Sequence, residues 1–253
     1  MYDFLNFTTV DAVRCGREIR SLGSNALSME EATNEIVHFF YDNFIEKHSE
    51  TKSCVLVRLF KTHDYTALDD NLKTFAQKLS DKADNVRDFK CFTLLSTCGV
   101  NAEWNSRRNS IGHQAIPLTS ISVVEKIPMM RNLIKQMGLE INTVINPDPK
   151  IIMDLSQNTF SVFHIPEALG SPYIPAQKEF VIPYKVRSVL GFGGVLPSGN
   201  VFVVIVFSKT PIAVETANCF ATLALNVKMV ILPFEEAVFV GDSGGNEHVA
   251  EGK

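Results

Sequence analysis

The densest group of chemically capable side chains lies in one polar segment of the sequence, residues 96–118, STCGVNAEWNSRRNSIGHQAIPL. This segment holds the single tryptophan, Trp104, the adjacent cations Arg107 and Arg108, and the imidazole of His113. A guanidinium binds a carboxylate or a phosphate through two parallel hydrogen bonds, and an indole can stack on a flat ligand. Because binding residues are often carried on loops, we predict that this segment forms a wall of a ligand site. The alternative is that one arginine forms an ion pair within the loop and the other is solvated.

A second candidate wall lies at residues 170–189, GSPYIPAQKEFVIPYKVRSV. Its prolines restrict the backbone, and its donors include Tyr184 and Arg187. The alternative is a stiff connection whose tyrosines cover the edge of the core. With this segment included, the residues predicted to bind a ligand are Trp104, Arg107, Arg108, His113 and Arg187.

Three side chains are candidates for binding haem iron or another metal, namely Cys98, His113 and His164. Neutral imidazole and cysteine thiolate are common metal ligands. None of the spacings HxxxH, HExxH or CxxC connects these residues, so a metal site would need ligands that converge from distant parts of the chain. The alternative for a histidine in a strand is a hydrogen bond that simply holds it in place.

Nucleophilic catalysis is a second chemistry that the 96–118 segment could support. Cys98 needs only an adjacent base and a lowered pKa to become a nucleophile, and His113 is a candidate base. The sequence has no Gly-x-Ser-x-Gly elbow, and Ser198 lies in the turn sequence LPSGN without a neighbouring base. An enzyme with a Cys/His centre in residues 96–118 is therefore an alternative function.

The glycines in residues 188–209, SVLGFGGVLPSGNVFVVIVFSK, could form either a phosphate cradle or part of a hairpin. A dinucleotide cradle needs a strand, a glycine turn and then a helix N-terminus, whereas here a second apolar strand follows the turn. The pattern GxGxxG is not matched, because Leu196 occupies the sixth position. The segment at Pro197 to Asn200 has typical turn chemistry, so we predict an antiparallel hairpin.

Composition restricts the class of protein and the class of partner. The chain has 253 residues, 45% of them hydrophobic and 21% charged, which is ordinary for a globular protein. A net charge of −4 without a Lys/Arg block argues against nucleic acid or an anionic membrane as the main partner. Five dispersed cysteines indicate reduced thiols, the N-terminus has no signal-peptide pattern, and the apolar run at residues 201–207 is too short to span a bilayer. These features predict a cytoplasmic protein.

The elements that would position these side chains follow from hydrophobic periodicity. Helices are predicted at 10–22, 29–45, 69–83, 122–138 and 211–231, with a cap at Thr8 or Thr9 and a capping box at Ser28 and Glu31. Strands are predicted at 53–62, 89–97, 160–165, 181–192 and 200–209. A mixed set of strands enclosed by helices from the two chain ends predicts an α+β fold. We expect one domain over residues 1–235, with an N-terminal helix in 1–23 and a polar insert at 97–122, and a disordered tail at 236–253.

Two stretches give the sequence a resemblance to the GAF-like sensory domains of bacteria. They are MEEATNEIVHFFYDNF leading into SCVLVRLF, and VRSVLGFGGVLPSGNVFVVIVFSK leading into the last helix. The resemblance covers most of residues 24–235. The same stretches also resemble PAS domains, which have a related architecture. It implies a central antiparallel sheet with a ligand pocket on one face, and terminal helices on the other face that often pair between two subunits.

The resemblance implies a function in signal transduction. The chain would bind a small molecule beside the sheet and report its occupancy through the first and last helices, as a homodimer coupled to a histidine kinase or another output module. Two other classes remain open, the enzyme described above and a protein-interaction scaffold without a ligand. The resemblance does not identify the ligand, and haem is one candidate.

Overall fold

Six antiparallel strands form the central sheet of the computed structural model, in the order β5-β4-β3-β8-β7-β6. The structure describes residues 1–47, 49–79, 89–148, 154–156 and 160–239. The strands of this sheet are β3 (Cys54–Asp64), β4 (Lys90–Gly99), β5 (Ala115–Leu118), β6 (Phe160–Ile165), β7 (Ser188–Val195) and β8 (Val201–Ser208). A separate two-stranded ribbon is formed by β1 (Ile45–Glu46) and β2 (Thr51–Lys52).

Among the described residues, the α-helices are α1 (Thr9–Arg20), α2 (Met29–Asn43), α3 (Asp70–Leu79), α4 (Ile121–Glu125), α5 (Pro128–Gln136), α6 (Ile141–Ile145) and α7 (Val214–Ile231). The N-cap of α1 is Thr8, which forms a capping box with Asp11. The N-cap of α2 is the predicted Ser28, whose side chain accepts a hydrogen bond from the Glu31 amide, whereas the Glu31 carboxylate accepts from the Leu27 amide and does not complete the predicted capping box. Side-chain oxygens at these positions satisfy amides that the first helical turn leaves without partners.

The two faces of the sheet bury two separate apolar cores. One core lies between the sheet and the terminal helices α1, α2 and α7, and it is centred on Phe220 of α7. The Phe220 ring lies 5.3 Å from that of Phe192 on β7 and 5.7 Å from that of Phe44 at the end of α2. The second core lies on the opposite face, under α4, α5, α6 and the segment before β7. The predicted α+β fold, a central antiparallel sheet with helices from both chain ends packed on it, is confirmed by this strand order and by these two layers.

The glycine-containing segment forms a hairpin, as predicted. Strands β7 and β8 pair in antiparallel register from Ser188 opposite Ser208 to Val195 opposite Val201. The turn between them contains Gly199 with a φ of +79°, a conformation that favours glycine. No helix begins at these glycines, so their backbone amides form sheet hydrogen bonds and do not form a phosphate cradle.

Two predicted elements differ from the structure, and one strand of the structure was not predicted. The strand predicted at 181–192 begins only at Ser188, because the chain before it forms a π-helical turn at Gln177–Val181 and a left-handed residue, Lys185 (φ +55°). The helix predicted at 122–138 is divided into α4 and α5, and Pro128 is the first residue of α5, where its missing amide proton costs no hydrogen bond. The polar insert contains a short edge strand, β5, that was not predicted.

Two predicted segments extend beyond the residues that the structure describes. The parts outside are residues 80–83 of the third predicted helix and residues 240–253 of the predicted tail. Residues 236–239 are described and pack against the start of α2, where the carbonyls of Ala237 and Val238 accept hydrogen bonds from the Met29 and Glu30 amides. This contact caps the N-terminus of α2 with backbone carbonyls.

One helical segment, Val214–Phe234, is long and apolar enough by composition to cross a membrane, with a mean hydropathy of 1.5 over its most apolar window. In the fold it packs on the sheet and against α1, with Phe220, Leu223 and Val227 fully buried. The same length and composition are typical of the core helix of a globular domain, and α7 occupies that position here.

The close packing of the hairpin gives a prediction at Gly193. A Cβ at this position would overlap the carbonyl oxygen of Phe202 and lie 2.9 Å from the Cα of Val203, and neither backbone atom can move without breaking the ladder. We expect Gly193→Ala to lower the free energy of unfolding by about 3 kcal/mol or more. Urea unfolding followed by circular dichroism measures this loss.

Gly191 provides the matched control on the same strand. Its added Cβ would meet the Phe163 side chain at 3.1 Å, and a side chain can shift where a backbone cannot. Gly191→Ala should therefore cost about 1 kcal/mol. Equal losses for the two variants would contradict the proposed backbone overlap.

Candidate functional site

A cavity of about 400 Å³ lies on the sheet face opposite the terminal helices. Its floor is formed by side chains of β3, β4 and β8, and its cover by α5, the 102–105 turn and the π-helical turn before β7. The volume is at the lower end of the range for small-molecule sites, about 300–1,000 Å³. The cavity is therefore large enough for a compact organic ligand.

Five aromatic rings line the cavity, contributed by Phe60, Phe92, Trp104, Phe180 and Phe207. The rings of Phe60 and Phe92 stack on neighbouring strands with centroids 4.8 Å apart. Phe180 packs edge-on against Phe207 at 5.0 Å and against Trp104 at 5.6 Å. These contacts fix the ring planes, so the walls offer flat apolar surface to a ligand.

The π-helical turn Gln177–Val181 places Glu179 and Phe180 on the cavity. The turn is held by the side chain of Gln177, which donates hydrogen bonds to the carbonyls of Ala168 and Ile174 and accepts one from the Gly170 amide. Isolated π-helical turns occur frequently at functional sites, because they direct side chains that an α-helical turn would not.

Arg58 carries a positive charge into this apolar cavity. It lies in the middle of β3, paired with Thr97 of β4 and Ile205 of β8. Its Nε is buried and has no hydrogen-bond partner, and no carboxylate of the described residues forms an ion pair with it. Desolvation lowers the pKa of the guanidinium to about 10, which leaves it protonated at neutral pH. The cavity therefore contains a cation that no described residue neutralises by direct contact.

His113 lies at the mouth of the cavity and is exposed there. Partial desolvation of the imidazole and, to a smaller extent, the charge of Arg58 lower its pKa to about 4. The ring is consequently neutral at pH 7 and can both donate and accept a hydrogen bond. Among the described residues, the titratable side chains that line the cavity are Arg58, His113 and the exposed Glu179.

The structure brings two of the five predicted binding residues, Trp104 and His113, to the cavity. Arg107 is buried elsewhere, where its Nε and Nη2 donate to the two carboxylate oxygens of Glu30 at 2.6 and 3.0 Å. The Arg107 guanidinium also lies 4.8 Å from the ring centre of Phe239. This side chain joins the polar insert to the start of α2 and to the last described residues, and it does not line the cavity.

Arg108 and Arg187 are exposed and do not line the cavity either. Arg187 is fixed by its backbone, whose amide donates to Ser208 O and whose carbonyl accepts from the Ala168 amide. The cation that does reach the cavity, Arg58, was missed from the sequence. The available signal was a single charged residue in the otherwise apolar run VLVRLF of a strand.

Cys98 lies on the other face of the sheet, in the core of the terminal helices. Its sulfur is 3.4 Å from Nδ1 of His38 on α2, so its histidine neighbour is His38 and not His113. Burial and, to a smaller extent, the nearby Asp42 carboxylate raise the pKa of the thiol to about 11. The thiol is therefore protonated at neutral pH, and the predicted dyad with His113 is not formed.

The three predicted metal ligands lie apart from one another. His164 is bound through Nε2 to the carbonyl of Ile212 at 3.0 Å, which is the structural alternative considered for a strand histidine. Cys98 is on the helix side of the sheet and His113 is at the cavity mouth. The described part of the chain contains no cluster of three His, Cys, Asp or Glu side chains suited to a metal ion.

The two adjacent arginines of the polar insert give a prediction on stability. Arg107→Ala leaves the Glu30 carboxylate without its bidentate partner, so we expect the free energy of unfolding to fall by about 3 kcal/mol. Arg108→Ala, one residue along the chain and exposed, should change it by less than about 0.5 kcal/mol. Urea unfolding of both variants makes the comparison, and similar losses would contradict a structural role specific to Arg107.

Comparison with known proteins adds one likeness of fold. No protein-family model matches the chain, and no curated protein matches it significantly. A solved structure that resembles it is the GAF domain from a phosphoenolpyruvate-protein phosphotransferase of Coxiella burnetii, with 13% sequence identity and a TM-score of 0.43 over 89% of this chain and 95% of that chain. The α+β fold of this chain is established by its own strand order and two layers, and not by that alignment.

Proposed function

We propose that the chain is a small-molecule sensory module whose ligand binds in the cavity on the sheet. One observation carries the proposal, which is an aromatic-lined cavity of about 400 Å³ that contains a cation without a protein partner. A concave apolar site with a few convergent polar groups is the usual form of a ligand site. Of the residues predicted from the sequence to bind a ligand, Trp104 and His113 remain in this proposal, and Arg58 is added to them.

A route from the cavity to the terminal helices is available through the sheet itself. Along β3, Arg58 and Phe60 belong to the cavity, whereas Val57 and Leu59 belong to the core of the terminal helices. Along β8, Ile205 faces the cavity in the same alternating way. A ligand that moves these strands changes the packing of α1, α2 and α7, and it favours one arrangement of the helices by its difference in affinity.

The outer surface of α7 is the proposed contact with a second copy of the chain. Leu225 and Met229 are 46% and 52% exposed and are one helical turn apart, and Leu232 continues the same stripe at 38%. On the neighbouring α1, Val10 and Val13 are 79% and 63% exposed. Adjacent apolar side chains at helical spacing are the usual requirement for pairing two helices, and an isologous dimer buries each patch against its own copy.

In this proposal the dimer transmits occupancy to an output module such as a histidine kinase, and the module works in the cytoplasm. The net charge of −4 and the dispersed reduced cysteines are compatible with that compartment. The geometry does not favour the alternative of an enzyme with a Cys/His centre, because the Cys98 thiol is protonated at neutral pH and is separated from the cavity by the sheet.

A neutral fluorescent probe, N-phenyl-1-naphthylamine, tests the cavity directly. We expect saturable binding to the wild type and a loss of about tenfold or more in affinity for Ile116→Trp, because the indole fills space that the ligand needs. Ile116 lines the cavity and is half-buried. The control Ile182→Trp makes the same change at a position that is 55% exposed and outside the lining. Equal binding by both variants would contradict the site.

Hydrogen exchange on the same complexes tests transmission. Probe binding should alter amide exchange in α1 and α7 of the wild type and leave Ile116→Trp unchanged, since only the occupied cavity shifts the helices. Changes confined to the residues around the cavity would contradict the transmission step while leaving ligand binding intact.

Charge introduced on α7 tests the dimer. Leu225→Glu places like carboxylates opposite each other across an isologous interface, so we expect the variant to sediment as a monomer where the wild type sediments as a dimer. Leu169→Glu, at a 59% exposed position of the segment before the π-helical turn, is the matched control and should remain dimeric. A monomeric wild type, or a dimeric Leu225→Glu variant, would contradict this interface.

A further inference from the structure

The electrostatics of the cavity are unbalanced in one direction. Arg58 stays protonated at neutral pH, His113 is neutral, and Glu179 is exposed at the rim without an ion pair to Arg58. Removing a guanidinium from water is costly unless an anion or several acceptors replace the water. The buried Nε of Arg58 has no acceptor in the part of the chain that the structure describes. A bound anion is the group that would satisfy it.

Arg107 offers a comparison with Arg58, because its guanidinium forms an ion pair with a carboxylate of the described residues and that of Arg58 does not. Arg107 is buried, and two of its nitrogens donate to the Glu30 carboxylate, whereas Arg58 is partly buried and its buried Nε has no acceptor among the described residues. The fold therefore pairs a buried guanidinium where the role is structural. At Arg58 the corresponding carboxylate is missing, and the open space of the cavity lies where one would be bound.

The size of the charge selects among anions. One guanidinium balances one negative charge, and the described lining offers no lysine or second arginine. A phosphate monoester carries a charge of about −1.5 to −2 at pH 7 and would remain partly uncompensated. A carboxylate carries one charge and matches the planar fork of arginine in two parallel hydrogen bonds.

The walls select the remainder of the ligand. The stacked pair Phe60 and Phe92 and the edge-packed pair Phe180 and Phe207 present flat apolar surfaces around the guanidinium. Aromatic surfaces of this kind favour a planar ring that can stack or pack edge-on. Branched sugars or polyols would leave their hydroxyls without partners on these walls.

We infer that the ligand is an aromatic carboxylate, held by Arg58 at the carboxylate and by the aromatic walls at the ring. The inference rests on the proposed function, because it assigns the chemical class that the sensory cavity binds. In this inference Arg58 recognises the charge of the ligand, and the rings of the aromatic walls recognise its shape.

A matched pair of probes separates charge from shape. The compounds 2-naphthoate and 2-naphthamide share a ring system and differ by one negative charge. For the wild type we expect calorimetric titration to give an affinity for 2-naphthoate about tenfold or more above that for 2-naphthamide, as a charge-assisted bidentate contact requires. For Arg58→Met the preference should disappear while 2-naphthamide still binds. Arg58→Lys keeps the charge but loses the fork, so an intermediate preference is expected.

The fold of the variants is checked by thermal melting. Arg58→Met replaces an uncompensated buried charge with an apolar chain, so it should melt at or above the temperature of the unliganded wild type. If Arg58→Met melts well below the unliganded wild type, the affinities for 2-naphthoate and 2-naphthamide are compared with Arg58→Lys instead. An unchanged preference for naphthoate in a folded Arg58 variant would overturn the inference.

The outcomes for the inference and for the proposed function are distinct. If N-phenyl-1-naphthylamine and 2-naphthamide bind but the wild type has no preference for 2-naphthoate, only the aromatic carboxylate is overturned. If none of the three binds, the sensory cavity itself fails. Tighter binding of 2-naphthyl phosphate than of 2-naphthoate would overturn the carboxylate in favour of a phosphate ester.

His113 provides an independent readout of where the anion lies. The titratable side chains that line the cavity together with His113 are Arg58 on β3 and Glu179 on the π-helical turn, and the charge of Arg58 contributes to the lowered pKa of the imidazole. A carboxylate bound to Arg58 offsets the positive charge beside His113 and should raise the pKa of its imidazole, measured by proton NMR. 2-Naphthamide should raise it less. Equal pKa values of His113 in the two complexes would place the carboxylate away from Arg58 and overturn the inference.

Discussion

The requirement that the two central strands be covered on both faces determines the architecture of this protein. Every residue of β8 is buried, and β3 is apolar on both faces except at Arg58 and at its polar end. A sheet of this kind needs a layer on each side, because either face left open would expose a large apolar surface. The terminal helices supply one layer in a tightly packed aromatic core. The insert between β4 and β6 and the segment before β7 supply the other, in which the side chains leave a cavity.

The two layers differ because they are built from different kinds of chain. Long amphipathic helices such as α2 and α7 present continuous apolar faces and pack densely on the sheet. The opposite layer consists of short helices, 3₁₀ turns and a π-helical turn, which cannot cover a flat sheet without gaps. Stiff aromatic side chains frame the remaining space and keep it open. The cavity on this face is therefore a consequence of how the cover is made.

Charge is treated oppositely at the two buried arginines. Arg107 is neutralised by Glu30 and fastens the insert to α2, so its desolvation is offset within the folded protein. Arg58 has no such partner, and its desolvation lowers the pKa of the guanidinium. Natural proteins retain unfavourable interactions of this kind mainly at functional sites, where a ligand compensates for them. This contrast connects the electrostatics of the fold to the proposed function.

The sequence by itself determined the fold class, the hairpin and the caps, because these depend on local periodicity and turn chemistry. The short β-branched run of β3, the turn around Gly199 and the Ser28 cap are all visible within a few residues. Trp104 and His113, which line the cavity, are visible in the sequence for the same reason, as unusual side chains in a polar segment. The role of Arg107 was decided by Glu30, which lies 77 residues away in sequence, and a contact at that separation has no local signature. Only the tertiary structure decided that Arg58 lies in a cavity without a partner, because that depends on what the rest of the chain fails to place beside it.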